Sequence, residues 1–171
     1  MTDYEKYLGC HFPIKRPENE RITHYKISGS CLEGIGVYIP HGGVAFVDKN
    51  ETPRVNDLAV ILRVTGALSA YIKEIESIDE RGIITRTRYT DPSKDFTIRA
   101  REYLGTVLII TNEHGDVIWE SKREHIPLTR CTRCRCFYKS GTPHRCKETT
   151  PYSPVCLPYY EKAFFGNARS A

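Results

Sequence analysis

From residue 22 onward the chain alternates apolar and polar positions in short runs. That period-2 texture belongs to half-buried strands. Runs at 22–28, 44–47, 58–64, 68–75, 83–89, 96–98, 105–111 and 116–119 read as strands. Between them lie turn signals: Gly42-Gly43, Asn56-Asp57, Thr65-Gly66, Asp79 to Gly82, and His114-Gly115. Within 71–75 the alternation sets Tyr71, Lys73 and Ile75 on one side and Ile72 and Glu74 on the other. No stretch holds a 3.6-residue period over a dozen positions. The pattern therefore predicts an antiparallel sandwich or barrel, not alternating strands and helices. Residues 1–21 are polar, with Pro13 and Pro17, and read as an arm with one helical turn near 4–8. After Glu120 the alternation stops. The chain is basic over 121–140 and rich in Pro, Thr and Cys over 141–158. Tyr159, Tyr160, Phe164 and Phe165 predict a short helix or strand that docks back. Three parts follow: an arm (1–21), a β-domain (22–120) and a C-terminal segment (121–171).

Charge sharpens this division. The net charge is +4, but residues 121–171 hold 10 Lys/Arg against 3 Asp/Glu, a balance of +7. Residues 1–120 hold 15 against 18, a balance of −3. The positive charge belongs to the C-terminal segment and points to phosphate or an acidic protein face. Apolar residues at 40 % suffice for a core and argue against disorder throughout. No apolar run reaches roughly 18 residues, so no membrane span is expected. The charged N-terminus has no apolar core and does not read as a signal peptide. A cytoplasmic location is the expectation.

In a reducing compartment, clustered cysteines favour metal or catalysis over disulfides. Five of the seven cysteines fall between Cys131 and Cys156. Cys131-Thr132-Arg133-Cys134 is a C-x2-C knuckle, and nine residues separate Cys134 from His144-Arg145-Cys146. Zinc takes four thiolate or imidazole ligands in a closed tetrahedron at structural sites. One structural zinc ion on Cys131, Cys134, His144 and Cys146 is expected, with Cys136 and Cys156 as alternate ligands. The turn at 139–143 would bring the second pair round. A segment this small folds chiefly through its metal. Arg130, Arg133, Arg135, Lys139, Arg145 and Lys147 surround the cluster, with Phe137 and Tyr138 between them. Basic side chains interleaved with aromatics suit nucleic acid, which offers phosphates and stacking bases. A solvated basic face around a structural zinc is the plainer reading.

Gly29-Ser30-Cys31-Leu32-Glu33-Gly34-Ile35-Gly36-Val37 resembles the nucleophile segment of the LexA/UmuD-type self-cleaving Ser–Lys peptidases. Further pieces follow in that family's order. His41 to Asp48 resembles its Asp-Gly-Asp turn and strand. Pro53, with Asn56 to Val60, resembles the Gly-Asp turn and the next strand. Ala70-Tyr71-Ile72-Lys73-Glu74-Ile75 resembles the strand of the catalytic lysine. Tyr89-Thr90-Asp91-Pro92, Phe96-Thr97-Ile98 and Leu104-Gly105-Thr106-Val107 resemble the closing turn and last strands. The likeness covers about half the chain.

The resemblance implies a LexA/UmuD-like β-sandwich or barrel, here with a small zinc-ribbon-like element added at the C-terminus. It places Lys73 at the general base and Cys31 at the nucleophile, with Ser30 as the nucleophile in a register shifted by one. Lysine titrates near about 10.4 in water and serves as a base only where its charged form is disfavoured. Two departures stand out. Cysteine replaces the family's serine, and neither Ala-Gly nor Cys-Gly, the family's cleavage dipeptides, occurs. The implied function is a regulatory or interaction module with impaired proteolysis, whose zinc-bound basic tail contacts nucleic acid or a protein. The alternative is an active Cys–Lys or Ser–Lys peptidase that cuts itself or a partner. By the same likeness a homodimer and a bacterial or phage stress-response setting are expected.

Overall fold

The computed structural model describes residues 15–29, 32–63, 70–146 and 151–152. Among them strand predominates, every pairing is antiparallel, and no α-helix occurs. No helix among the described residues is long and apolar enough to cross a membrane. The strands are β1 (Ile22–Gly29), β2 (Ile39–Asp48), β3 (Leu58–Arg63), β4 (Ala70–Asp79), β5 (Gly82–Thr87), β6 (Phe96–Thr111), β7 (Val117–Glu120), β8 (Leu128–Arg130) and β9 (Phe137–Lys139). The main sheet runs β1-β2-β6-β3-β4-β5, with β7 also on β6. Because β5 pairs back onto β6, strands β3, β4, β5 and the first part of β6 close into a small barrel. Strands β8 and β9 form a separate hairpin.

The hub is β6. Its sequence predicts two short strands, 96–98 and 105–111, with Arg99, Arg101 and Glu102 between them. The structure instead has one strand of 16 residues. It stays continuous by repeated register shifts against β2 and β3, where bulges re-aim the side chains. Gly105 makes the crossing over β2 feasible. Its φ is 152°, and a Cβ there would lie 2.5 Å from Val47 Cγ1 and 2.8 Å from the Asp48 carbonyl oxygen. A second difference concerns Gly42 and Gly43. They were expected to end a turn, yet they lie inside β2, where the register against β1 slips between Ile27 and Gly29. Gly42, at φ 90°, accommodates this irregularity in the strand.

Alternation along β2 divides the core. Ala45 and Val47 join Leu32, Val60 and Ile72 on one face, whereas Val44 and Phe46 join Leu108 and Ile109 on the other. The barrel interior holds Ala59, Ile61, Ile75, Ile83 and Tyr103. The face of Phe46 is covered by the C-terminal segment: Ile126, Leu128, Cys136, Phe137 and Tyr152 pack on it. Phe137 meets Phe46 edge-on, with ring centroids 5.1 Å apart.

Candidate metal centre

Ligand donors of Cys131, Cys134, His144 and Cys146 all lie within 4.8 Å of one another. Local backbone chemistry brings the first pair together. The Arg135 N–H donates to the Cys131 carbonyl at 2.8 Å, and the Cys131 N–H donates to the Cys136 carbonyl at 2.9 Å. The Cys134 N–H points at Cys131 Sγ, 3.5 Å away. To complete this tight turn Arg135 takes a left-handed conformation, φ 63°. The second pair arrives through the β8–β9 hairpin and the turn at Gly141, φ 80°. Tyr138 stacks on the His144 ring at 4.4 Å and 11°, which fixes the imidazole plane.

The donor geometry suits a tetrahedral divalent ion. Zinc-like bond lengths put tetrahedral vertices roughly 3.5–3.8 Å apart. Cys131 Sγ to Cys146 Sγ is 3.4 Å, Cys134 Sγ to His144 Nε2 is 3.1 Å, and Cys146 Sγ to His144 Nε2 is 3.8 Å. N–H groups of Cys134 and then Arg133 hold the Cys131 thiol down at about 6. Burial pushes the Cys134 thiol up, and the hydrogen bond shared with Cys131 pushes Cys146 up to about 11. A metal binding here displaces protons from the thiols that still carry them. Cys136 is half-buried against the Phe46 cluster and is not one of the converging four. Cys156 and Lys147 lie outside the described residues.

The basic residues around the cluster divide into two groups. Arg130 donates to the carbonyls of Gly115 and Arg135, and its guanidinium lies 5.0 Å over the Phe137 ring. Arg135 lies 5.3 Å over Tyr152. Lys139 pairs with Glu18 and thereby holds that carboxyl below its ordinary value. These three tie the metal element to the rest of the protein. The side chains of Arg133 and Arg145, which flank the ligands, are exposed and make no hydrogen bond or ion pair to another described residue. Arg145 borders a groove of about 510 Å³ between the metal element and β1, with Tyr138, Lys49 and His24 along its walls.

Lys73 lies on β4 and is only 5 % exposed. Its ammonium sits 5.6 Å from the Tyr71 ring centroid and 6.0 Å from that of Phe96. No salt bridge or hydrogen bond joins it to another described residue. Cys31 and Ser30 fall outside the described residues. Leu32, just after them, is buried in the same cluster as Ile72, the neighbour of Lys73. The 3-10 turn Glu33–Ile35 is held beside β5, with the Gly34 N–H on the Arg88 carbonyl and Thr90 donating to Glu33.

Three residues shape these sites in ways the sequence did not signal. Arg135 carries the knuckle's left-handed turn, where a glycine would have announced it. Tyr138 was read as a base-stacking residue, yet it stacks on a ligand. Arg123 clamps the linker to the β-domain through Asp57 and Glu51, and a single charge in a polar stretch gives no such signal. Set beside known proteins, the chain matches no family model, no curated protein and no solved structure.

Proposed function

We propose that this chain is a LexA/UmuD-fold interaction module in which one structural zinc ion holds a basic element ready for an anionic partner, nucleic acid foremost. The observation that carries the reading is the pairing of a closed four-ligand cluster with two exposed arginines at its rim, whose side chains are unpaired among the described residues. Four protein donors leave no open position, so the ion's role is structural. Its capture fixes the loops that present Arg133 and Arg145. The groove beside them is lined by Lys49, Glu20 and Tyr138, the last stacked on His144. Phosphate contacts of this kind are sequence-tolerant and weaken with salt.

Two measurements test it. Elemental analysis of the purified protein should give one zinc per chain, lost in Cys134→Ser. Fluorescence anisotropy with single- and double-stranded DNA and RNA should show binding that falls with salt. The double variant Arg133→Ala, Arg145→Ala should reduce the salt slope by about 2. Absence of salt-dependent binding to all four probes would remove nucleic acid as the partner.

A second reading, an active Cys–Lys or Ser–Lys peptidase, is favoured by the burial of Lys73, which has no counter-ion among the described residues. A buried amine facing aromatic rings is costly to keep unless it is used. In this reading the thiol proton of Cys31 passes to Lys73 Nζ as sulfur bonds to the peptide carbonyl carbon. The proton then goes to the departing amine, and water hydrolyses the thioester. Incubation at raised pH, followed by intact mass, should give a fragment that Lys73→Ala abolishes. Fragment formation unchanged in Lys73→Ala would end this reading.

A further inference from the structure

Strands β3 and β7 lie in line along one edge of β6: Ala59 pairs with Thr106, and Glu120 pairs with Ile109. At their junction opens a cleft of about 700 Å³, a volume in the range of small-molecule sites. Lys73, the four metal donors and the arginines at their rim are not among its lining residues. Ile35, Val55, Leu58 and Trp119 give it an apolar wall. Trp119 is the only tryptophan of the chain.

The charged residues that border the cleft are mostly paired. Glu74 is bound by Arg88, and Arg123 by Asp57 and Glu51. Glu120 lies 3.5 Å from His125. Two cations are left over: the side chains of Arg54 and Lys122 line the cleft, are exposed, and make no hydrogen bond or ion pair to a described residue. One acceptor is left over as well. The Asp57 side chain is only 6 % exposed, and both donors that reach it, the Arg54 N–H and the Arg123 guanidinium, bond Oδ2. Its Oδ1 accepts from no described residue, so a ligand N–H placed there would complete the carboxylate's bonding.

We propose that this cleft binds a purine nucleoside monophosphate. The base lies on the Trp119 indole and donates an N–H to Asp57 Oδ1, while Arg54 and Lys122 hold the phosphate. The charges match, since a phosphate monoester carries about −1.5 to −2 near neutral pH and a guanidinium fork suits its oxygens. Aromatic rings stack bases, and both purines carry an amino group that donates to a carboxylate. The inference stands apart from the metal-bound basic element, because the two sites share no residue.

Trp119 emission reads the cleft directly. In the full chain, AMP and GMP should quench it saturably, with affinities about tenfold or more above those of inorganic phosphate, ribose 5-phosphate and adenosine. Purine riboside 5′-monophosphate, whose base has no N–H, should bind about fivefold more weakly than AMP. Arg54→Gln with Lys122→Gln should weaken AMP binding about tenfold or more and, both side chains being exposed, should melt as wild type does. Arg133→Ala with Arg145→Ala should bind AMP as wild type does. No quench and no saturation-transfer NMR signal on AMP at about 10 mM would overturn the proposal. So would binding that survives Arg54→Gln with Lys122→Gln, or that is lost in the Arg133, Arg145 variant. A 5′-phosphorylated purine dinucleotide identifies the source of the ligand. Bound more tightly than AMP through the same two cations, it makes the ligand the end of a nucleic-acid strand; bound more weakly, it makes the ligand a free nucleotide.

Discussion

The guanidinium of Arg123 lies between the carboxylates of Asp57 and Glu51 and also donates to the Thr52 carbonyl. Its side chain is 15 % exposed and that of Asp57 only 6 %. Removing the cation leaves a buried carboxylate without its partner, which costs about 3 kcal/mol or more. Arg123→Met should therefore lower unfolding stability by about 3 kcal/mol, and Asp57→Asn in that background should return part of the loss. Denaturant titrations of the two single variants and the double variant form the cycle that measures it. Burial opposes the charge on Asp57 more than Arg123 favours it, so its carboxyl sits above the ordinary 3.8. The folded state then holds that proton more tightly than the unfolded one. The contribution is greatest below the ordinary value and is lost as pH rises through the raised one. Asp57→Asn should flatten the fall in stability over that window. None of this was legible in the sequence, because a salt bridge across 66 residues leaves no local pattern. The burial of Lys73 was not legible either. Alternation placed it on the face of Tyr71 and Ile75, but both faces of β4 are covered over Ile72 to Ile75.

At the scale of elements, strands wrapped around a core announce themselves by alternation, and most of the sheet could be read that way. The exception is β6, where polar residues on the barrel's outer side hid a continuous strand that bulges hold together. The C-x2-C knuckle was legible for a different reason: metal ligation fixes residue identity and spacing directly. Strands β8 and β9 have three residues each, too few to persist alone. On the proposed reading a bound ion holds them, and its removal should loosen this element while leaving the main sheet folded. Treating the protein with a strong zinc chelator should speed tryptic cleavage after Arg133 and Arg145 at least tenfold. Cleavage after Arg86 and Arg99, within the barrel, should change little. Equal acceleration at all four sites would mean that the metal supports the whole fold.

At the scale of the whole molecule, the metal element meets the sheet through an apolar contact centred on Phe137 and Phe46, with Ile126, Leu128, Cys136 and Tyr152 around it. On the proposed reading that contact couples the ion to a core residue that is not a ligand. If the metal fixes Phe137, it stabilises the packing on Phe46, and by linkage the packing on Phe46 strengthens metal binding by the same free energy. Phe46 is 1 % exposed on β2 and touches none of the four donors in the hydrogen-bond network of the cluster. Phe46→Leu keeps an apolar side chain there but removes the ring. It should weaken zinc affinity about tenfold, which corresponds to about 1.4 kcal/mol of coupling. Competition against a chromogenic chelator measures the affinity. Calorimetry with and without zinc measures the stabilisation in each protein, and the difference between the two should match the same 1.4 kcal/mol. A variant that melts lower yet binds zinc as wild type does would mean that the knuckle folds on its own ligands alone and merely rests on the sheet.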